Sequence, residues 1–168
     1  MPIAAGDPAE IWDVWTRVIT SEDYWTTDGR LHNKAFSGKA FAPPDNPSPW
    51  TYELSGRLLS LIEHLEKESV AFCRTKQKDF AGVMYQNVEN LRSDGSGFPI
   101  DVIYTPYDED KAHSDVVVYQ ATDKSHIFAV RDWLQDFIQH VRADKVAAIC
   151  ALRRRAEPAS PRLGLVGS

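Results

Sequence analysis

The sequence predicts an α/β domain, or α+β if its strands pair only antiparallel, built as a small mixed sheet of about three or more strands covered by about four helices. Three observations predict it. Apolar side chains recur at helical spacing in several segments, two further runs are rich in β-branched and aromatic residues, and clusters of Gly, Pro and Asp separate them.

Asp7, Pro8 and Glu10 have the form of a helix start: a side chain that caps free N–H groups, a proline in the first turn, and an acid three residues on. Ile11, Trp12, Trp15, Val18 and Ile19 follow at helical spacing and place a helix over 8–20. Across 21–50 the turn signal Asp28-Gly29 and the breakers Gly38, Pro43, Pro44, Pro47 and Pro49 leave only short or irregular pieces over the core. Ser48-Pro49 repeats the cap-and-proline signature. Leu54, Leu58, Leu61, Ile62 and Leu65 then predict an amphipathic helix over 49–67. Ser69–Cys73 reads equally as a buried strand or a continued helix.

Phe80, Met84, Val88 and Leu91 predict a helix over 79–92, stopped by Asp94-Gly95. Residues 99–105 and 115–119 read as strands on β-branched and aromatic content. Strand, helix, strand over 70–105 has the form of a βαβ crossover, while the turn at 106–114 allows antiparallel pairing. Val130, Trp133, Leu134, Phe137, Ile138 and Val141 predict a last helical region over 125–152, capped by Asp123 or Ser125. The expected organisation is one globular domain over 1–152 and a mobile basic C-terminal tail over 153–168.

The chain has 168 residues, 43% of them hydrophobic and 26% charged, enough to bury a core without disulfide or metal support. No apolar run approaches the roughly 20 residues that span a bilayer, and the N-terminus lacks a basic n-region, so no membrane partner or secretory signal is expected. Cys73 and Cys150 lie in apolar runs and read as buried thiols in a reducing cytoplasm. The net charge is −5, but Arg153, Arg154, Arg155 and Arg162 against Glu157 make the tail +3 and leave −8 on residues 1–152. Such an acidic body repels a phosphate backbone and disfavours nucleic acid, although Arg153–Arg155 remain open to an anionic or nucleic-acid contact.

The phosphate-loop, dinucleotide, HExxH, CxxC and nucleophile-elbow motifs are all absent. Two clusters could carry chemistry. In Arg30-x-His32-Asn33-Lys34, with Lys39 nearby, cations flank an imidazole and can hold a phosphate or carboxylate while His32 moves a proton. The bland reading is a solvated loop. In the turn 108–115, His113 stands among carboxylates at an end of the sheet; its spacing matches no metal signature, so neither metal nor cofactor is expected.

Joined in space, Arg30, His32, Lys34 and His113 would form a metal-independent acid–base site for phosphoesters or nucleotides, in the manner of an RNase. Four of five tryptophans fall within residues 1–50, where Trp25 and Trp50, with Asn33, Lys39 and Arg57, offer a binding surface. The leading expectation is a non-catalytic binding or protein-interaction module using this aromatic layer, with another protein or a small anionic ligand as partner. The alternatives are the hydrolase and a small-molecule sensor with a tryptophan-lined pocket.

Overall fold

Seven strands form one sheet in the computed structural model, which describes residues 3–41, 50–93, 99–121 and 124–156. The strands are β1 (Val14–Ile19), β2 (Lys39–Phe41), β3 (Trp50–Leu58), β4 (Gly82–Asn87), β5 (Ile100–Tyr104), β6 (His113–Ala121) and β7 (Gln139–Arg142). The helices are α1 (Leu65–Thr75), α2 (Val88–Ser93), α3 (Lys124–Phe137) and α4 (Ala147–Ala156). The strand order is β5-β6-β3-β1-β4-β7, β2 pairs with β3, and every pairing is antiparallel. The α+β alternative therefore describes the fold, and the sheet holds no parallel βαβ unit; β4 and β5 are not neighbours.

Several predicted helices are strands. Residues 14–19 form β1, and 50–58 form β3, followed by a 3-10 turn at Leu59–Leu61. The predicted helix over 79–92 is β4 running into the short α2, and the one over 125–152 is α3, β7 and α4 in succession. The cause is shared. An i, i+4 spacing fits a period of 3.6 and a period of 2 alike, so Leu54–Leu58 and Met84–Val88 carried no discrimination. Ser69–Cys73 lies within α1, the helical of its two readings. The 99–105 and 115–119 strands are present as β5 and β6.

Both faces of the sheet are covered. Trp15, Ile19, Tyr52, Leu54, Met84 and Val116 pack with Ile127, Val130 and Leu134 of α3 on one face. On the other, Val14 and Val83 meet Leu65 of α1, Val146 just before α4, and Ile149 of α4. Each such fully buried side chain contributes about 1.5–3 kcal/mol of transfer free energy. Asp13 fastens the entry of β1, its Oδ1 accepting from Val14 N at 2.7 Å and Ser60 N at 3.2 Å. Residues 6–9 lie along the outer edge of β5, where Ala9 N donates to Val102 O at 2.7 Å and closes an otherwise open strand edge.

The sheet forks along β3. Its Thr51–Glu53 pair with β2, its Arg57 and Leu58 with β1, and Leu54–Gly56 have neither neighbour on that side. β1 leaves β3 after Thr16, where Trp15 crosses directly over Gly56. A Cβ at Gly56 would lie 2.3 Å from the indole, so only glycine permits the approach.

Candidate functional site

A cavity of about 780 Å³ opens at this fork. Its lining draws on both faces of the sheet, with Ile19 and Met84 from one and Val18, Glu53, Ser55 and Asp115 from the other. Arg17 sits where the strands separate: its Nη1 donates to Ser55 O at 2.6 Å and its Nη2 to Ser37 O at 3.4 Å, bridging β3 to the start of β2. The Ser55 carbonyl lies in the stretch of β3 that has no strand neighbour on that side. Burial pulls the Arg17 pKa below the usual arginine value, and Tyr52, Tyr24 and Asp115 offset part of that. No carboxylate among the described residues lies within ion-pair distance of it.

Four lysines surround the same space. Lys34 and Lys39 come from the 3-10 turn at Asn33–Phe36 and from β2, and Lys76 and Lys78 from the end of α1. None of the four has a carboxylate within 4.0 Å among the described residues. Arg57 differs: it is held by Asp110 at 3.1 Å and by Glu68 at 2.8 Å, which makes it a strut between the 105–113 turn and α1. Burial pushes the Glu68 carboxyl up, but hydrogen bonds from His64 N and Arg57 outweigh it and hold the group below the usual glutamate range. With His113 neutral, the lining carries Arg17, Arg57 and the four lysines against Glu53, Asp110 and Asp115, a net +3 on a chain of −5. Counting Glu68 behind Arg57 still leaves a positive cavity.

The acid–base groups form a second cluster along β6. His113 and Asp115 share a sheet face with Arg57, Ser55 and Glu53 by register. His113 Nδ1 lies 2.9 Å from the Thr105 carbonyl and 2.9 Å from Thr105 Oγ1, and that hydroxyl donates to Asp115 Oδ2 at 2.7 Å. A carbonyl can only accept, so neutral His113 carries its proton on Nδ1 and leaves Nε2 with a free lone pair. Tyr107 lies against the ring, centroids 4.7 Å apart. Burial raises the Glu53 carboxyl above the usual range, Asp115 raises it further and Lys39 lowers it.

Of the residues singled out in the sequence, Lys34, Lys39, Arg57 and His113 line the cavity, while Arg30, His32, Asn33 and Trp25 do not. Arg30 pairs with Asp136 at 2.8 Å on the surface. His32 caps the 3-10 turn, its Nδ1 accepting from Lys34 N at 3.1 Å, so the two-histidine arrangement is not assembled. Asn33 is an exposed residue of that turn. Trp25 donates to Ala81 O at 3.3 Å and lies beneath the Arg142 guanidinium, 4.4 Å from its ring centroid.

Trp15 is fully buried, Trp12 and Trp25 are partly buried, and no tryptophan with a described side chain lines the cavity, whose rings among the described residues are Tyr24, Phe72, Tyr107 and His113. Trp50 lies in β3, its side chain beyond what is described, and residues 157–168 of the predicted tail lie outside the described residues. Cys73 is buried as expected, whereas Cys150 is exposed on α4.

Sequence reasoning missed Arg17, Glu53, Lys76, Lys78 and Thr105, and took Asp115 only as one carboxylate of the cluster around His113. Arg17 had a usable signal, a cation inside the run VWTRVI, where a buried charge demands a reason.

Among the described residues no three or more His, Cys, Asp or Glu side chains are grouped to hold a metal ion, and no helix is long and apolar enough to cross a membrane. Comparison with protein-family models, curated proteins and solved structures found no match.

Proposed function

We propose that the chain binds a small anionic molecule, one bearing phosphate or carboxylate groups, in the fork cavity. Arg17 carries this reading. A half-buried guanidinium with only carbonyl hydrogen-bond partners among the described residues has given up part of its hydration, and a ligand anion supplies the close counter-charge that those residues do not. Lys34, Lys39, Lys76 and Lys78 add attraction at the same place. A volume of about 780 Å³ falls in the range of small-molecule clefts, and the rings of Tyr24, Phe72 and Tyr107 offer walls for a flat, ring-bearing portion of the ligand.

Isothermal titration calorimetry with inorganic pyrophosphate and with AMP tests the reading. Saturable binding is expected, weakening as salt rises. It should be strongly reduced in Lys34→Gln/Lys39→Gln and unchanged in Lys111→Gln, whose lysine pairs with Asp108 outside the cavity. Absence of binding by both probes, or an unaffected double variant, overturns the reading.

A further inference from the structure

We propose that His113 is the general base, and Glu53 the general acid, of a hydrolytic reaction on a phosphodiester bound in this cavity. The inference rests on the anion-binding reading and adds chemistry to it. It begins with the His113 ring. Nδ1 is committed to the Thr105 carbonyl at 2.9 Å, which fixes the tautomer and directs the free lone pair of Nε2 to the other side of the ring. None of the described residues hydrogen-bonds Nε2; Asp115 Oδ1 stands 3.9 Å away, too far for a hydrogen bond and near enough to stabilise an imidazolium. Asp115 is itself oriented by the Thr105 hydroxyl at 2.7 Å, so one residue positions both the base and its stabilising carboxylate.

Glu53 lies diagonally across the β3–β6 pair from Asp115, on the same face and in the same cavity. Burial and the neighbouring carboxylate raise its pKa, the direction that suits an acid. Arg17, Lys34 and Lys39 supply positive charge for the non-bridging oxygens as negative charge grows on them.

The step balances with water as the only co-reactant. A water gives a proton to His113 Nε2 as its oxygen bonds to phosphorus; the bond from phosphorus to the leaving oxygen breaks, and that oxygen takes the proton of Glu53. Products are a phosphomonoester and an alcohol. His113 then loses its proton to solvent and Glu53 regains one. Tyr107 and Phe72 favour a ring-bearing alcohol as the group released.

The test uses the full chain with bis(p-nitrophenyl) phosphate, nitrophenolate release being followed across pH, and pyrophosphate calorimetry run in parallel on each variant. Turnover is expected with a bell-shaped profile. His113→Asn should lose about 10²–10⁴-fold in kcat and the limb belonging to the base, with pyrophosphate affinity retained. Glu53→Gln should lose the opposite limb. The groups facing His113 that bear on its limb are Asp115 on its own strand, Arg57 on β3, and Tyr107 and Asp110 in the preceding turn.

Thr105→Val should lower kcat with KM unchanged and displace the base limb, and Thr105→Ser should restore both, which marks a positioning residue. Pyrophosphate binding with no turnover, or a fully active His113→Asn, overturns the catalytic proposal and leaves the binding reading standing. Loss of pyrophosphate binding in the native chain overturns both.

Discussion

Replacing Arg17 by Met separates a residue kept for a ligand from one kept for the fold. Methionine retains an unbranched apolar stem of similar reach and removes the charge and the donors. The Nη2 contact to Ser37 O at 3.4 Å is at the limit of hydrogen bonding and contributes little, but losing the 2.6 Å bond leaves the Ser55 carbonyl in the fork without a donor, costing about 1–3 kcal/mol. Against this, removing the half-buried guanidinium returns part of the desolvation penalty of a charge, which reaches several kcal/mol when burial is complete. The two nearly cancel, so stability should change by no more than about 1 kcal/mol, a Tm shift within about 4 °C for a chain of this size. Affinity has no such compensation. Removing one partner of a buried charge pair costs about 2–5 kcal/mol, so pyrophosphate binding should weaken at least about 30-fold. Differential scanning fluorimetry and calorimetric titration read the two quantities on the same sample. A Tm lowered by more than about 10 °C with affinity intact would show Arg17 to be a strut across the fork and refute the reasoning.

Three further outcomes are expected. Gly56→Ala forces a methyl to 2.3 Å from the fully buried Trp15 indole and 2.4 Å from Thr16 O, contacts that no rotamer change relieves; it should cost about 3 kcal/mol or more in urea unfolding, and a cost below about 0.5 kcal/mol would deny the close crossing. Asp13→Ala leaves Val14 N, Ser60 N and the Ser60 hydroxyl without their buried acceptor and should lose about 2–3 kcal/mol by the same measurement. Glu53 is raised in the folded chain, so its ionisation opposes folding as pH rises from the ordinary glutamate range upward. Glu53→Gln should therefore raise Tm at pH 7, with the gain vanishing at acid pH where both chains are neutral there. Glu68 is lowered, and Glu68→Gln should act with the opposite sign, its loss of Tm at pH 7 fading as pH falls through the glutamate range.

The sequence carried the sheet poorly because both faces of its central strands are covered. Alternation is the mark of a strand with one wet face; β1 buries Val14 and Thr16 on one side and Trp15 and Ile19 on the other, and the apolar run then satisfies a helical template as well. The composition VWTRVI, dominated by β-branched and aromatic residues, was the better guide and pointed to a strand. β5 and β6 were legible for that reason. The site was half legible. Lys34, Lys39 and His113 stood out as polar residues in or beside turns and Arg57 as a cation on a predicted helix, but which of them share a cavity is decided by the fork, where Trp15 crosses Gly56. His32 differs from His113 in one local respect: it precedes a 3-10 turn whose N–H groups need an acceptor, so its imidazole is spent on capping.

The fork explains why a polar site can exist within a sheet packed on both faces. A continuous strand beside Leu54–Gly56 would have paired their backbone groups and sealed the surface with side chains. The split instead leaves carbonyls that require a donor, and a long cationic side chain from the neighbouring strand reaches them. One residue thereby solves a backbone problem and places a positive charge in a concave space, where low-dielectric walls focus the field. Under the anion-binding proposal the acidic remainder of the chain should discriminate by size: a compact anion meets only the +3 cavity, while a polymer with many phosphates must also lie against a surface of opposite preference. Small anions should therefore compete with pyrophosphate, and a long single-stranded oligonucleotide should compete no better per phosphate than inorganic phosphate does; tighter binding by the oligonucleotide would contradict selection by size.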